Sequence, residues 1–590
     1  MAIVAILLTW LVWLAAAAGV GLLAISRWKT VLTERQQLQL GLWIGIAILL
    51  LAPLVAHFFV PMGALGSRAL SWLFVVIGGA SLLRFAWIRR RPLVAACRRA
   101  ISPSRWAIAV FSTLVLVAIV IISNFAAAEP MDADAGLYRL SVINYSRDNA
   151  IIPGLANLHD RYGFNSALWP LTPFLEVGLW NDQGFRLVAG LFLAGLAVDL
   201  FLRILVPRVG GTLPGDWVVV IGSAFIMAVV FTDSGRWIPS PGQDIAAFVP
   251  SLAAVAYLSD ALWSKGTTRT VSLNVAMIAA GVSGAIRPLG WVLFAAILVL
   301  SVFLAWPRKN ASSSYGLRRF CINMLGAFIV LALAVAMLLR DVILSGWLLF
   351  PTSPFGIPVP WQLPDPSSAS DGITSWARAP GISGDAVLEG FGWFGDWFAS
   401  FRGSREAYLL LLIALGSVLT VPFWRRAAIS HPRIWAKMSV SLLPVFLLLI
   451  LWFFNAPDVR FAWAPLIAVV AVPIGWLLSS GVLPSVPVRV GGLAILIVML
   501  GTQVANDRIL PRGDERVTYE LQLGPLAWDV AIAKVRDTEA VTVSLPDGTH
   551  VQIPKNGNEC WNIQPLCVHP GSVSETVRYS GPWRSGFAPR

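Results

Sequence analysis

Charge is the scarcest property of this 590-residue chain: Asp, Glu, Lys and Arg make up only 13% of it, against about 25% in a soluble globular protein. That shortage, beside 57% hydrophobic residues and a mean hydropathy of +0.73, excludes an ordinary water-soluble domain. Alternation over segments of about ten residues is also missing, which excludes an outer-membrane barrel. Cysteine is rare, at four residues. Cys97 in a basic loop and Cys321 at a span start read as incidental, and no second Cys/His pair stands near Cys560 and Cys567 to complete a zinc site (His569 is the one near neighbour). The first apolar run lacks both a basic leader and a small-residue cleavage site, so it reads as a retained span.

What is present is a succession of apolar stretches long enough to cross about 30 Å of hydrocarbon. Fourteen candidate spans run near 3–25, 40–61, 68–88, 106–127, 184–205, 216–232, 244–263, 270–286, 288–306, 320–340, 406–424, 438–455, 461–479 and 490–505. The fold class is therefore an all-α polytopic membrane protein of about 14 transmembrane helices. The eighth span is short and ends in AIRPLG, so 270–306 is compatible with a hairpin that does not fully cross. The net charge of +13 is carried by basic clusters between spans: RWKTVLTER (27–35), RRRPLVAACRRAISPSR (89–105), PRKNASSSYGLRR (307–319) and RRAAISHPRIWAK (425–437). Such clusters mark cytoplasmic loops; the charge reports topology, with membrane lipids and no nucleic acid as partners. The N-terminus, the loops 127–183 and 341–405, and the tail then fall outside the cytoplasmic membrane. Residues 1–505 form the membrane module, and 506–590 a small extracytoplasmic α/β or β domain in which VTVSLPDGTHVQI reads as two strands joined at Asp547-Gly548.

Loop 127–183 reverses the inner balance, with seven acids to three basic residues. It opens with EPMDADAGLYRL. Asp132 and Asp134 have the hard oxygens for Mg²⁺, Mn²⁺ or Ca²⁺, or one of them is a general base; a solvated span end is the plain alternative. Behind them, GLYRLSVINYSRDNA has helical spacing suited to a helix in the interface plane. Other polar groups at outer span ends are His159 and Arg161 in NLHDRYGFNS, Asp244 in PSPGQDIAAF, Arg287 in SGAIRPLG, and Asp458 and Arg460 in NAPDVRFAW. Each has a simple reading as cap, snorkelling side chain or ion pair. Together they sit on one face, as a cavity opening outward requires. Loop 341–405 is rich in Pro, Gly, Ser and Trp, which suits headgroup depth or closure over a ligand. CWNIQPLC in the tail is compatible with a Cys560–Cys567 disulfide in an oxidising compartment.

DAGLYRL, IIPGLANLHDRYGFNS, SGWLLFP, VPWQLP, WARAPG, APDVRF and CWNIQPLC, spread over 129–567, resemble the GT-C superfamily of polytopic glycosyltransferases. As a set they are most similar to a group of bacterial multi-pass membrane proteins of GT-C-like architecture. The resemblance implies transfer of a sugar from a polyprenyl-phosphate donor to a glycan, lipid or protein acceptor of the bacterial cell envelope. It implies Asp134 as catalytic base or metal ligand with Asp132 as helper, and Arg287 or Arg460 on the donor phosphate. Arg460, Phe461 and Pro465 match the family's R-[FY]-x-x-P pattern with the proline displaced by one. Tyr138, His159, Arg161, Asp244, Trp361, Trp376, Arg378 and Asp458 are the candidate substrate contacts. The alternatives are a polymerase or ligase of lipid-linked oligosaccharides, which favours an outer loop rich in Arg and His, and a flippase or transporter, which favours charge in both halves of the path.

Overall fold

The computed structural model describes residues 2–26, 32–91, 105–176, 180–205, 211–232, 235–306, 320–352, 355–381, 385–418, 420–482, 516–523, 526–563, 567–568, 570–572, 576–578 and 583–589. Its first part is a helical bundle. The helices are α1 (Ala2–Ala24), α2 (Glu34–Ala56), α3 (Leu65–Ile88), α4 (Arg105–Ala126), α5 (Leu140–Asp148), α6 (Leu155–Leu158), α7 (Leu168–Phe174), α8 (Val188–Leu205), α9 (Pro214–Thr232) and α10 (Gln243–Trp263). There follow α11 (Gly266–Ile286), α12 (Leu289–Ala305), α13 (Leu325–Ser345), α14 (Ser367–Arg378), α15 (Asp385–Leu388), α16 (Phe394–Gly403), α17 (Arg405–Val418), α18 (Val421–Ser430), α19 (Ile434–Asn455) and α20 (Trp463–Ser479).

Among the described residues ten helices are long and apolar enough to span, and two shorter apolar helices, Ser112–Ala126 and Leu289–Ala305, add to them. This makes a multi-pass membrane protein. Two of the fourteen expected spans are not among these helices. Residues 490–505 lie outside the described residues. The stretch 406–424 is not one helix: α17 ends at Val418, and α18 begins afresh with Pro422 in its first turn, where a missing N–H costs nothing. The 14 residues of α17 reach about 21 Å, too short to cross. The hairpin expectation for 270–306 is also corrected, because the 21 residues of α11 extend about 31 Å.

Local sequence explains how the bundle starts and closes. Thr33 and Gln36 form a reciprocal capping box at the head of α2, which satisfies two orphan N–H groups. Gly41 and Gly45 then give α2 a small-xxx-small face, the arrangement that lets membrane helices touch along their backbones. A Cβ on Gly45 would lie 1.7 Å from the Ala17 carbonyl oxygen, and one on Gly21 1.8 Å from that of Gly41. Helix α10 is the axis of the fold: its spanning window is wholly buried, against α8, α9, α11 and α20. Helices α3, α13 and α19 form the perimeter, with 22%, 39% and 39% of their windows buried.

The two ends of the bundle differ. One end carries the basic residues Arg89, Arg269 and Lys437, and there five charges are buried together. Arg203 reaches Asp199 (3.0 Å), Asp216 (3.1 Å) and Asp260 (2.9 Å), while Arg35 reaches Asp216 at 3.1 Å. Tyr257 donates to Asp199 at 2.6 Å and the Gly215 N–H to Asp260 at 2.7 Å. The expectation that polar residues gather on one side only is therefore corrected. The pairing went unseen because its members lie far apart in sequence, on α2, α8, α9 and α10.

At the other end the chain after α4 turns inward. Helix α5 is buried on nearly every residue and packs on α7, so it is a core element. The tail adds three antiparallel hairpins: β1 (Arg516–Leu523) with β2 (Leu526–Ala533), β3 (Ala540–Ser544) with β4 (His550–Pro554), and β5 (Thr576–Arg578) with β6 (Phe587–Pro589). Gly548, at φ +81°, makes the turn between β3 and β4. Among the described residues the tail holds strands and single 3₁₀ turns without an α-helix.

Candidate functional site

The acids of EPMDADAGLYRL are organised by an irregular turn. Residues Ala135–Arg139 form a π-helical turn, in which the Leu140 N–H donates to the Ala135 carbonyl. In an α-helix, residues five apart point away from each other. The wider π turn brings Arg139 back beneath Asp134, and π-bulges of this kind concentrate at functional sites. Arg139 donates to Asp132 through Nη1 and to Asp134 through Nη2, the latter at 2.8 Å. Arg161 reaches the other oxygen of Asp134 at 3.3 Å. Asp132 and Arg139 are buried, whereas Asp134 and Arg161 keep 31% and 30% of their side chains exposed. Asp134 is thus the reachable acid of the pair. Burial pushes the Asp132 carboxyl above its ordinary range, and Arg139 opposes that in part.

The remaining charges arrive from three later elements. Asp244 occupies the first turn of α10, where the helix dipole favours an acid. Arg287 follows the last residue of α11. Pro288 holds it in extended backbone, and its guanidinium turns inward, donating to Asp244 Oδ1 at 2.7 Å and lying 4.3 Å from the centre of the Phe461 ring. It is not a snorkelling tip. Asp458 caps a 3₁₀ turn by accepting from the Arg460 N–H, and grips the Arg460 guanidinium at 2.7 Å. Arg460 also lies 4.9 Å from the centre of the Trp237 ring.

These groups form one cluster. A narrow cleft between α10, α11, α12, α19 and α20 is lined by Asp244, Ser251, Ser283, Arg287, Arg460 and Phe461 among others. Asp132 lies within electrostatic reach of Asp244 and Arg460, and Asp244 within that of Arg139. Four carboxylates (Asp132, Asp134, Asp244, Asp458) meet four guanidiniums (Arg139, Arg161, Arg287, Arg460), so the cluster balances. One position is incomplete. Asp244 is 3% exposed and its Oδ2 has no hydrogen-bond partner, so the cleft wall presents a buried acceptor that calls for a donor.

The other candidates lie elsewhere. Tyr138 is buried edge-on against Phe164 and Trp169, its hydroxyl at the Arg139 Nε; it supports the turn. His159 caps the next turn and bonds Asp160 at 2.6 Å. Trp361 donates to the Val342 carbonyl at 3.0 Å, and Trp376 is 57% exposed. Arg378 holds the carbonyls of Val387, Leu388 and Phe454. None of these last three lines the cleft: Trp361 and Arg378 tie the 341–405 segment to itself and to α13 and α19, where Trp393, Trp397 and Phe453 pack ring on ring. Arg139 and Trp237 were missed. Arg139 stands five residues after Asp134, a spacing that carries meaning only once the turn is known to be π-helical.

Among the described residues no group of three or more His, Cys, Asp or Glu stands ready for a metal. A divalent cation bridging Asp132 and Asp134 would have to displace Arg139 from both, so this donor set fits a metal poorly.

The match to a family model, that of a domain of unknown function (DUF8201), runs over residues 3–467. It takes in every member of the cluster, from Asp132 to Arg460. No curated protein and no solved structure matches the chain. The match covers most of the sequence, and the chain belongs to the DUF8201 family.

Proposed function

We propose that this protein is a membrane glycosyltransferase of GT-C type. It moves a sugar from a polyprenyl-phosphate donor to a cell-envelope acceptor at the outer face of the bacterial cytoplasmic membrane. The observation that supports the reading is a cleft lined by Asp244, Arg287 and Arg460, with Asp132, which shares Arg139 with the reachable Asp134, within electrostatic reach of Asp244 and Arg460. A lipid-linked phosphate enters at that level with its chain in the bilayer, and guanidiniums suit its oxygens. In the transfer, Asp134 takes the proton of the acceptor hydroxyl, whose oxygen bonds to the anomeric carbon. The bond from that carbon to the phosphate oxygen breaks and its electron pair leaves with the phosphate, where Arg287 and Arg460 stabilise the developing charge. The unpartnered Asp244 Oδ2 accepts a sugar hydroxyl. No step is routed through a metal.

The test is transfer from a labelled polyprenyl-phosphate sugar by the protein in membrane vesicles. Asp134→Asn should lower it by about 10²–10⁴ with insertion and melting unchanged. Full transfer by that variant overturns the assignment. A transporter or flippase is the second reading, and the buried cluster at the basic end is the observation in its favour. Asp244 and Asp260 are 16 residues apart on α10, about 24 Å, and the residues lining the cleft do not include Arg203 or its partners. A polymerase or ligase of lipid-linked oligosaccharides would use the same cleft with a longer donor.

A further inference from the structure

The tail is bound to the bundle at the acidic loop, on both sides of it. On the N-terminal side the Ala533 N–H donates to the Ala127 carbonyl at 2.9 Å, and Arg536 lies 3.8 Å from Glu129. Arg186, fully buried, donates to the carbonyls of both Ala128 and Ala533. On the C-terminal side the N–H groups of Cys560 and Trp561 converge on the Gly136 carbonyl, at 2.8 and 3.1 Å. The arc that holds Asp132 and Asp134 is therefore pinned at each end by the same distant segment.

The second contact depends on an absent side chain. A Cβ on Gly136 would lie 2.3 Å from Cε2 of Trp561, so the indole occupies the space that any other residue would fill. Trp561 is 3% exposed and sits at φ +42°, a backbone region that side chains other than glycine enter only when their surroundings impose it. Here three things impose it. The disulfide Cys560–Cys567 closes the loop. The Tyr162 hydroxyl donates to the Cys567 carbonyl at 2.6 Å, and the Trp561 indole N–H donates to Glu559 at 2.6 Å. Tyr162 belongs to the same outer loop as Arg161, the second partner of Asp134, so the disulfide loop touches both walls of that acid.

We propose that Trp561, presented by the Cys560–Cys567 loop, is a positioning residue that holds the π turn of Ala135–Arg139 in the register that aims Asp134 and Arg139. The contact to the reaction rests on the glycosyltransferase reading; the docking does not. Trp561 touches no reacting atom under that reading and acts through Gly136.

The experiment is amide hydrogen exchange over 130–140 in the full-length protein in lipid nanodiscs, with exchange in α10 as the internal control. Trp561→Ala should raise exchange in 130–140 at least tenfold while leaving α10 unchanged, and Trp561→Phe should restore most of the protection. Gly136→Ala should raise exchange by itself and add little in the Trp561→Ala background, because the clash and the lost contact are one event. Unchanged exchange at 130–140, or fully additive effects, overturns the docking. In the transfer assay Trp561→Ala should lower kcat about tenfold with KM for the donor within twofold. Raised exchange with kcat unchanged overturns the positioning role. Raised exchange with Asp134→Asn still active overturns the reading of Asp134 instead and leaves the docking standing.

Discussion

Replacing Arg139 by Met isolates the energetics of the acidic turn. Arg139 and Asp132 are 3% and 7% exposed, and the guanidinium bonds Asp132 and Asp134 together. Its loss leaves Asp132 buried without its bonded guanidinium, and only the weaker pull of Arg460 remains. Breaking a buried pair from one side costs about 3–5 kcal/mol, or about two to four decades in an unfolding rate at roughly 1.4 kcal/mol per decade. The loss has a definite pH dependence. Burial already holds the Asp132 carboxyl above its ordinary range with Arg139 opposing, so removing Arg139 moves it further up. A carboxyl raised in the fold is more stable protonated: its deficit is absent below the unfolded value and grows as pH rises through the folded one. Arg139→Met should therefore unfold far faster than the parent at pH 8 and only moderately faster at pH 5. Asp132→Asn in the same chain should recover most of the difference at pH 8. The assay is the half-life of tryptophan fluorescence at a fixed elevated temperature in nanodiscs, since a chain of this size is judged by rate. A deficit equal at both pH values, or a double variant no better than Arg139→Met alone, would refute the reasoning.

Two further outcomes follow from other parts of the fold. Gly45→Leu drives a side chain into the Ala17 carbonyl; overpacking costs about 1–3 kcal/mol or more, and the variant should lose its monodisperse peak in size-exclusion chromatography while Ile48→Leu keeps it. His57, just past α2, is held well below the ordinary imidazole range by burial and then by Arg340, whose guanidinium faces Nδ1 at 2.5 Å, while Nε2 faces the Asn149 carbonyl at 3.0 Å. A guanidinium can only donate, so the ring carries its proton on Nε2. A depressed folded value means stability present above pH 6.5 and lost as pH falls, by up to about 1.4 kcal/mol per unit; His57→Gln should flatten that slope in melts between pH 7 and 5, and an unchanged slope refutes the assignment.

How much of this was legible depended on range in sequence. Apolar runs announce helices through local hydropathy alone, so α1 to α3, α8 to α11 and α19 stand close to where the sequence places them. The break between α17 and α18 did not show, because the residues on either side of Pro422 are as apolar as any span. Asp132, Asp134, Asp244, Arg287 and Arg460 drew notice as charges at apolar edges; Asp244, Arg287 and Arg460 line one cleft, with Asp132 in electrostatic reach of two of them. Arg139 did not, because five-residue spacing matches no regular helical face. Arg203 with Asp199, Asp216 and Asp260 escaped for a different reason: three of the four look like span-end polarity until distant helices are brought together. Trp361, Trp376 and Arg378 stand outside the cleft lining. Tryptophan in a loop suits a ligand platform and a packing anchor equally well, and only the carbonyls that Trp361 and Arg378 grip separate the two.

The ion cluster of Arg35, Arg203, Asp199, Asp216 and Asp260 also bears on how the chain is made. A charged side chain disfavours insertion of a lone helix, by up to about 2.5–3.5 kcal/mol at its centre and less toward its ends, and α10, with an acid near each end and no lipid-facing side, is poorly suited to waiting alone in the bilayer. Synthesis runs from the N-terminus, so Arg35 and then Arg203, already beside Asp199 on its own helix, leave the ribosome before Asp216 and Asp260. Each late acid thus emerges toward a cation already in place. Charge at the basic end is in this way neutralised in order, with Asp260 of α10 met by a cation from a helix that preceded it.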